Sequence, residues 1–237
     1  MATFVIAHGA WSSGWAWKKM RPLMRELGHD LFTPSYTGQG ERAHLAHPGI
    51  DLDTHITDVL NLLHYEDLRD VILLGHSYGG MVATGVADRA PDRISQLVYL
   101  DAFVPRHGQS ALSLYTDEAR VRTLEAVRTH GGGWRIPANP MPPDTAKEDF
   151  DWATPKRVMQ PVKTFEQAIL ITGAGGAAAP LPTAYIYCTR CGPGDVFRQF
   201  ADRARAEPGW KYVEMDASHN PHITVPHELM RILQSLV

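Results

Sequence analysis

The chain has 237 residues, of which 44% are hydrophobic and 21% charged, with a formal charge of −3 and a pI near 6.4. That is enough chain for one substantial domain, or one domain carrying an insertion, and too little basic charge to attract nucleic acid or an anionic membrane surface. No apolar run approaches the ~20 residues that span a bilayer, so neither nucleic acid nor membrane is expected as a partner.

Thr3–Ala7 (TFVIA) reads as a first strand, and residues 15–27 follow as a helix closed by Gly28. The opening MATFVIAHGAW has no basic n-region and no long apolar stretch, so it is read as mature chain and the cytoplasm is the expected compartment. Residues 30–33 form a short second strand, and the Gly-, Pro- and His-rich residues 34–49 a loop. Over residues 52–64, Leu52, Ile56, Val59, Leu60 and Leu63 recur at helical spacing. Residues 70–74 are a buried strand, Gly79–Arg89 a helix, and residues 96–100 another buried strand. The alternation then breaks, and resumes with a strand at Thr183–Cys188, a helix over 196–206, a strand over 211–215 and a helix over 227–236. Strands alternating with helices predict an α/β fold: a parallel sheet of about six strands with helices on both faces. The interruption is read as an inserted helical cap, which divides the chain into a core of residues 1–103 and 183–237 and a cap of residues 104–182.

Two features invite a cofactor and do not carry one. The run ILITGAGGAAA (169–179) resembles a dinucleotide-binding loop, but Pro180 and Pro182 deny it the helix that would hold the pyrophosphate. It reads better as a lid hinge. Cys188 and Cys191 make a single CTRC spacing without the further ligands zinc requires, so they are read as free thiols. No cofactor and no metal are expected.

The chemistry concentrates in VILLGHSYGGMVA (71–83), where one serine stands between glycines, straight after a strand and straight before a helix. A strand-to-helix turn this tight brings neighbouring backbone against positions 75 and 79, where glycine removes the clashing side chain. The turn holds Ser77 strained, with its hydroxyl exposed at the tip of the sheet. A serine hydroxyl is a weak nucleophile without a base. The loop after the last strand, YVEMDASHNPHITV, supplies His219, ahead of the competitors His222 and His227. A negative oxygen forming on the attacked carbonyl needs donors, and the backbone N–H groups of Tyr78, after the serine, and Ala10, in the loop after the first strand, are the candidates for an oxyanion hole.

These segments resemble the α/β-hydrolase fold, and more narrowly the methyl salicylate esterase and hydroxynitrile lyase group with its bacterial carboxylesterase relatives. The resemblance rests on HGAWSSGWAWKKM (8–20), GHSYGGMV (75–82), LVYLDAFVP (97–105), YIYCT (185–189) and DASHNPH (216–222). The lyases of that group have threonine where Gly9 stands and lysine where Asn220 stands, so the resemblance implies an esterase. The group's plant enzymes place the triad acid at about the position of Cys191, which is no carboxylate. Asp101, at the tip of the strand after the nucleophile helix, is preferred as the acid, as in a branch of haloalkane dehalogenases; Asp195 is the alternative. Trp11, Phe103 and Trp134 are expected in the substrate pocket, with Trp152, Tyr115 and Met159 also near the cap, and residues 34–47 at its rim. The implied activity is a serine carboxylesterase working through a Ser-His-Asp catalytic triad and an acyl-enzyme. A lactonase on, for example, acyl-homoserine lactones is one alternative, and a non-catalytic small-ligand binding protein another. The expected partner is a small-molecule ester, and a homodimer is compatible with the sequence.

Overall fold

The computed structural model describes residues 1–173, 181–192 and 194–237; the second half of the 169–179 glycine run therefore lies outside the described residues. Its strands are β1 (Thr3–Ala7), β2 (Asp30–Phe32), β3 (Val71–His76), β4 (Ile94–Leu100), β5 (Arg135–Ile136), β6 (Gln160–Pro161), β7 (Thr183–Cys188) and β8 (Trp210–Met215). Its helices are α1 (Met20–Glu26), α2 (Leu52–Tyr65), α3 (Gly79–Arg89), α4 (Asp117–Thr129), α5 (Lys147–Ala153), α6 (Lys163–Glu166), α7 (Arg198–Ala206), α8 (Pro221–Thr224) and α9 (Pro226–Gln234). Six of the described strands form one sheet in the order β2-β1-β3-β4-β7-β8, with every neighbouring pair parallel.

The sheet is buried on both faces, which is why its central strands are continuous apolar runs rather than alternating ones. Side chains still alternate in direction along each strand. Val5, Leu73 and Tyr99 pack with Val59 of α2 and Val86 of α3 on one face. Phe4, Ile6, Leu74 and Val98 pack with Met24 of α1 and Leu233 of α9 on the other. Every residue of β3 is buried, and its C-terminal end, with that of β4, carries the site.

Residues 15–27 do not form the single expected helix. A 3-10 turn at Gly14–Trp17 precedes α1, because Pro22 has no N–H for a helix entering from upstream and is tolerated only in a first turn. Similarly, α7 begins at Arg198 rather than at residue 196. Between β4 and β7 the chain runs through α4, α5 and α6, and also through a short antiparallel pairing of β5 with β6. None of the described helices is long and apolar enough to cross a membrane.

Candidate active site

Ser77 sits at φ 56°, the left-handed region that a residue with a side chain rarely adopts. Its backbone is pinned on both sides: its N–H donates to the Leu100 carbonyl at 3.2 Å, and its carbonyl accepts from the N–H groups of Phe103 and Gly80, each at 3.1 Å. The glycines make the turn feasible. A Cβ at Gly79 would lie 1.9 Å from the Ala7 carbonyl oxygen, and one at Gly75 2.8 Å from the Gly79 oxygen. Gly80, which the motif reading passes over, is as tightly placed, with Phe103 oxygen 2.0 Å from a Cβ there.

His219 reaches this serine from the loop between β8 and α8, with Nε2 2.9 Å from Ser77 Oγ. Its other nitrogen, Nδ1, is 2.6 Å from Asp101 Oδ2. Phe197 stacks on the imidazole at 4.8 Å, and the His219 carbonyl accepts from His76 Nε2 at 2.7 Å. Asp101, also left-handed at φ 43°, is 5% exposed and receives a second hydrogen bond from the Cys188 N–H at 3.3 Å. Burial raises the pKa of its carboxyl, and the hydrogen bond and charge of His219 oppose that rise.

Asp195, the other candidate acid, is engaged elsewhere. Its Oδ2 accepts from the Tyr187 hydroxyl at 2.6 Å, and its Oδ1 accepts from the Phe197 and Arg198 N–H groups at 3.0 and 3.2 Å. It thereby holds the turn that opens α7.

The loop after β1 lies beside the serine. Trp11 adopts φ 58°; its N–H donates to Gln160 Oε1 at 3.4 Å and its indole Nε1 to the Ile136 carbonyl at 2.9 Å. The N–H groups of Ala10 and Tyr78 meet no acceptor among the described residues. A Cβ at Gly9 would lie 2.9 Å from His76 Nδ1 and 3.1 Å from Ser77 Cβ, so a threonine there would have to displace the histidine.

A cavity of about 600 Å³ opens over these groups and is lined by Ala10, Ser77, Asp101 and His219 together with Trp11 and Phe103. Tyr115 joins them. Trp134 does not: it sits in the turn between α4 and β5, where its carbonyl accepts from the Val162 N–H at 2.8 Å and the Arg135 guanidinium lies 4.8 Å from its ring. Trp152 and Met159 are also off the wall. Trp152 packs edge-on against Trp15 at 5.3 Å, and the Met159 carbonyl accepts from Gln39 Nε2 at 3.4 Å.

Residues 34–47 do not reach the rim either. They are drawn into their own network: Tyr36 stacks on His8 at 3.8 Å, and Thr37 and Arg42 converge on Asp58. His76, Phe165, Arg157 and Cys191 line the cavity, and sequence reasoning did not single them out as site residues. His76 carried a signal in its place beside the serine, and Cys191 in standing at about the position of the plant enzymes' triad acid; Phe165 and Arg157 carried none.

A family model described as the alpha/beta hydrolase family matches residues 4–232. The chain is 39% identical over 247 residues to the carbendazim hydrolyzing esterase of Nocardioides sp. (strain SG-4G), covering 100% of both chains. It is 34% identical over 113 residues to methylesterase 2 of Arabidopsis thaliana, a match covering 43% of this chain and 40% of that one. Among solved structures, an extracellular alpha/beta-hydrolase from a Paenibacillus species superposes with a TM-score of 0.85 at 25% identity, covering 100% of this chain and 99% of that one.

Proposed function

Because the chain belongs to the α/β hydrolase family and is a carboxylic ester hydrolase, we propose that it is a serine carboxylesterase using Ser77, His219 and Asp101 on small esters. The observation that carries this reading is the continuous line from Asp101 through His219 to Ser77, at 2.6 and 2.9 Å. His219 Nε2 takes the Ser77 proton as Oγ attacks the ester carbonyl. Asp101 holds the ring with Nδ1 protonated and stabilises the imidazolium that results. The tetrahedral oxyanion rests on the Ala10 and Tyr78 N–H groups, each donor of this kind being worth about a hundredfold or more in rate. His219 then returns the proton to the leaving alcohol, and a water activated by the same nitrogen cleaves the acyl-enzyme to the acid. Residues 104–182 act as the cap over this site.

The relative's substrate makes carbendazim the first compound to assay, beside short-chain p-nitrophenyl esters. Ser77→Ala should lower turnover of both by at least ~10⁴-fold with an unchanged circular dichroism spectrum. A fluorophosphonate probe should label the parent protein at Ser77. Retained turnover in the variant, or an unlabelled serine, would remove the nucleophile assignment.

A further inference from the structure

The cavity holds two arginines in different electrostatic situations. Arg190 is neutralised, with Nε and Nη2 each 2.7 Å from the Asp216 carboxylate and Asp144 3.9 Å from Nη1. Arg157 has no acidic partner among the described residues, and burial lowers its pKa. It extends from the turn at Thr154–Lys156, and its Nη1 donates to the Asn139 carbonyl. Its guanidinium lies 5.7 Å from the centre of the Trp11 indole, and Trp11 is itself held through its ring Nε1–H and its backbone N–H. The cavity's two aspartates cannot serve it, since Asp101 is held by His219 and Asp195 by Tyr187. What remains is a half-buried, positioned cation facing the space in which Ser77 lies.

A guanidinium offers five donors in a planar fork that matches a carboxylate. Held away from bulk water without a counter-charge, it gains most from a ligand that brings its own anion. Resting on the esterase reading above, we infer that Arg157 binds a free carboxylate on the substrate, so that the favoured substrates are half-esters of short dicarboxylic acids. One carboxyl is the scissile ester at Ser77; the other seats on the fork. A space of about 600 Å³ is large enough to hold such a molecule.

The test compares monoethyl adipate with its neutral counterpart ethyl hexanoate, followed by pH-stat at about pH 7.5, where the free carboxyl is ionised. The parent enzyme should favour the half-ester in kcat/KM. The ratio should fall roughly ten- to hundredfold in Arg157→Met, as expected for losing a hydrogen bond to a charged group, with most of the change in KM. Arg157→Lys should restore part of it. Added salt should raise the parent's KM for the half-ester more than for the neutral ester, a readout that stands even if a variant fails to fold. A parent that prefers the neutral ester, a ratio equal in all three proteins, or a salt effect equal on both esters overturns the inference while leaving the esterase intact. Hydrolysis of neither ester, nor of any p-nitrophenyl ester, would overturn the esterase reading itself.

Discussion

Asp101 and Asp195 both border the cavity, and their hydrogen bonds assign them different work. Asp101 spends one oxygen on His219 and the other on the Cys188 N–H; Asp195 spends both on Tyr187 and the start of α7. An amide at position 101 keeps the shape but presents a donor or an uncharged oxygen to Nδ1, which favours the wrong tautomer and leaves the imidazolium unsupported. Asp101→Asn should therefore lower kcat by about 10⁴-fold with a nearly unchanged melting temperature. In Asp195→Asn the amide oxygen can still accept from the α7 N–H groups, so kcat should stay within a few-fold, and stability should fall by about 1 kcal/mol through the weakened bond from the Tyr187 hydroxyl. Steady-state kinetics and urea melts of the two variants decide the assignment, and a larger kcat loss in the second would reverse it. At this scale the serine, the histidine and the two candidate acids were legible because each ends a strand or follows one. Arg157 and Phe165 were not, because a side chain reaching the cavity from the segment between β4 and β7 has no fixed register to the strands.

Helix α3 is the element on which the site's precision depends, since it leaves β3 so closely that its first residues lie against backbone on two sides. The atoms that would meet a Cβ at Gly79 are the Ala7 carbonyl oxygen and carbon, at 1.9 and 2.6 Å. Backbone of a central strand can yield only by displacing the loop that carries Ala10. At Gly85, six residues on, the obstacle is the Ile56 side chain, with Cδ1 at 2.3 Å, and a side chain can change rotamer. Gly79→Ala should thus cost more stability than Gly85→Ala, toward or beyond the upper end of the ~1–3 kcal/mol typical of overpacking. It should also reduce kcat, whereas the second change should act on stability alone. Chemical denaturation with parallel rate measurements tests the order, and equal losses would show that α3 can slide on β1. The elements around this junction were readable because apolar runs bounded by glycine have one reading in a doubly covered sheet. Residues 15–27 misled because helical apolar spacing continued through Pro22, and the β5–β6 pair is too short to leave a period.

Among the described residues, His8, His55, His76 and His222 are buried without a carboxylate partner. Burial drives their pKa values down, to about 4 for His8 and about 3 for His55 and His222, with His76 lowered further by the nearby His222 and His219. Each is thus neutral when folded, yet takes up a proton near pH 6.5 once unfolded. With the folded pKa below the unfolded one, stability is complete above about pH 6.5 and is lost as the pH falls toward the folded values. One such residue loses about 1.4 kcal/mol per pH unit in that window, so at pH 5 His8, His55 and His222 together remove roughly 6 kcal/mol and His76 adds in the same direction, comparable with the ~5–15 kcal/mol stability of a domain. The molecule should therefore unfold cooperatively between about pH 6.5 and 4. His222 offers the cleanest test. It is stacked on Trp17 at 4.5 Å and 11°, and its Nδ1 has no hydrogen-bond partner among the described residues. His222→Phe keeps the stack and removes the titrating group, so the variant should be at least as stable as the parent at pH 7. Its loss of stability between pH 7 and 5, read from urea midpoints at several pH values, should be smaller than the parent's by about 2 kcal/mol. An identical pH slope in the two proteins would mean that this ring is protonated in the folded state, and that the acid sensitivity resides elsewhere.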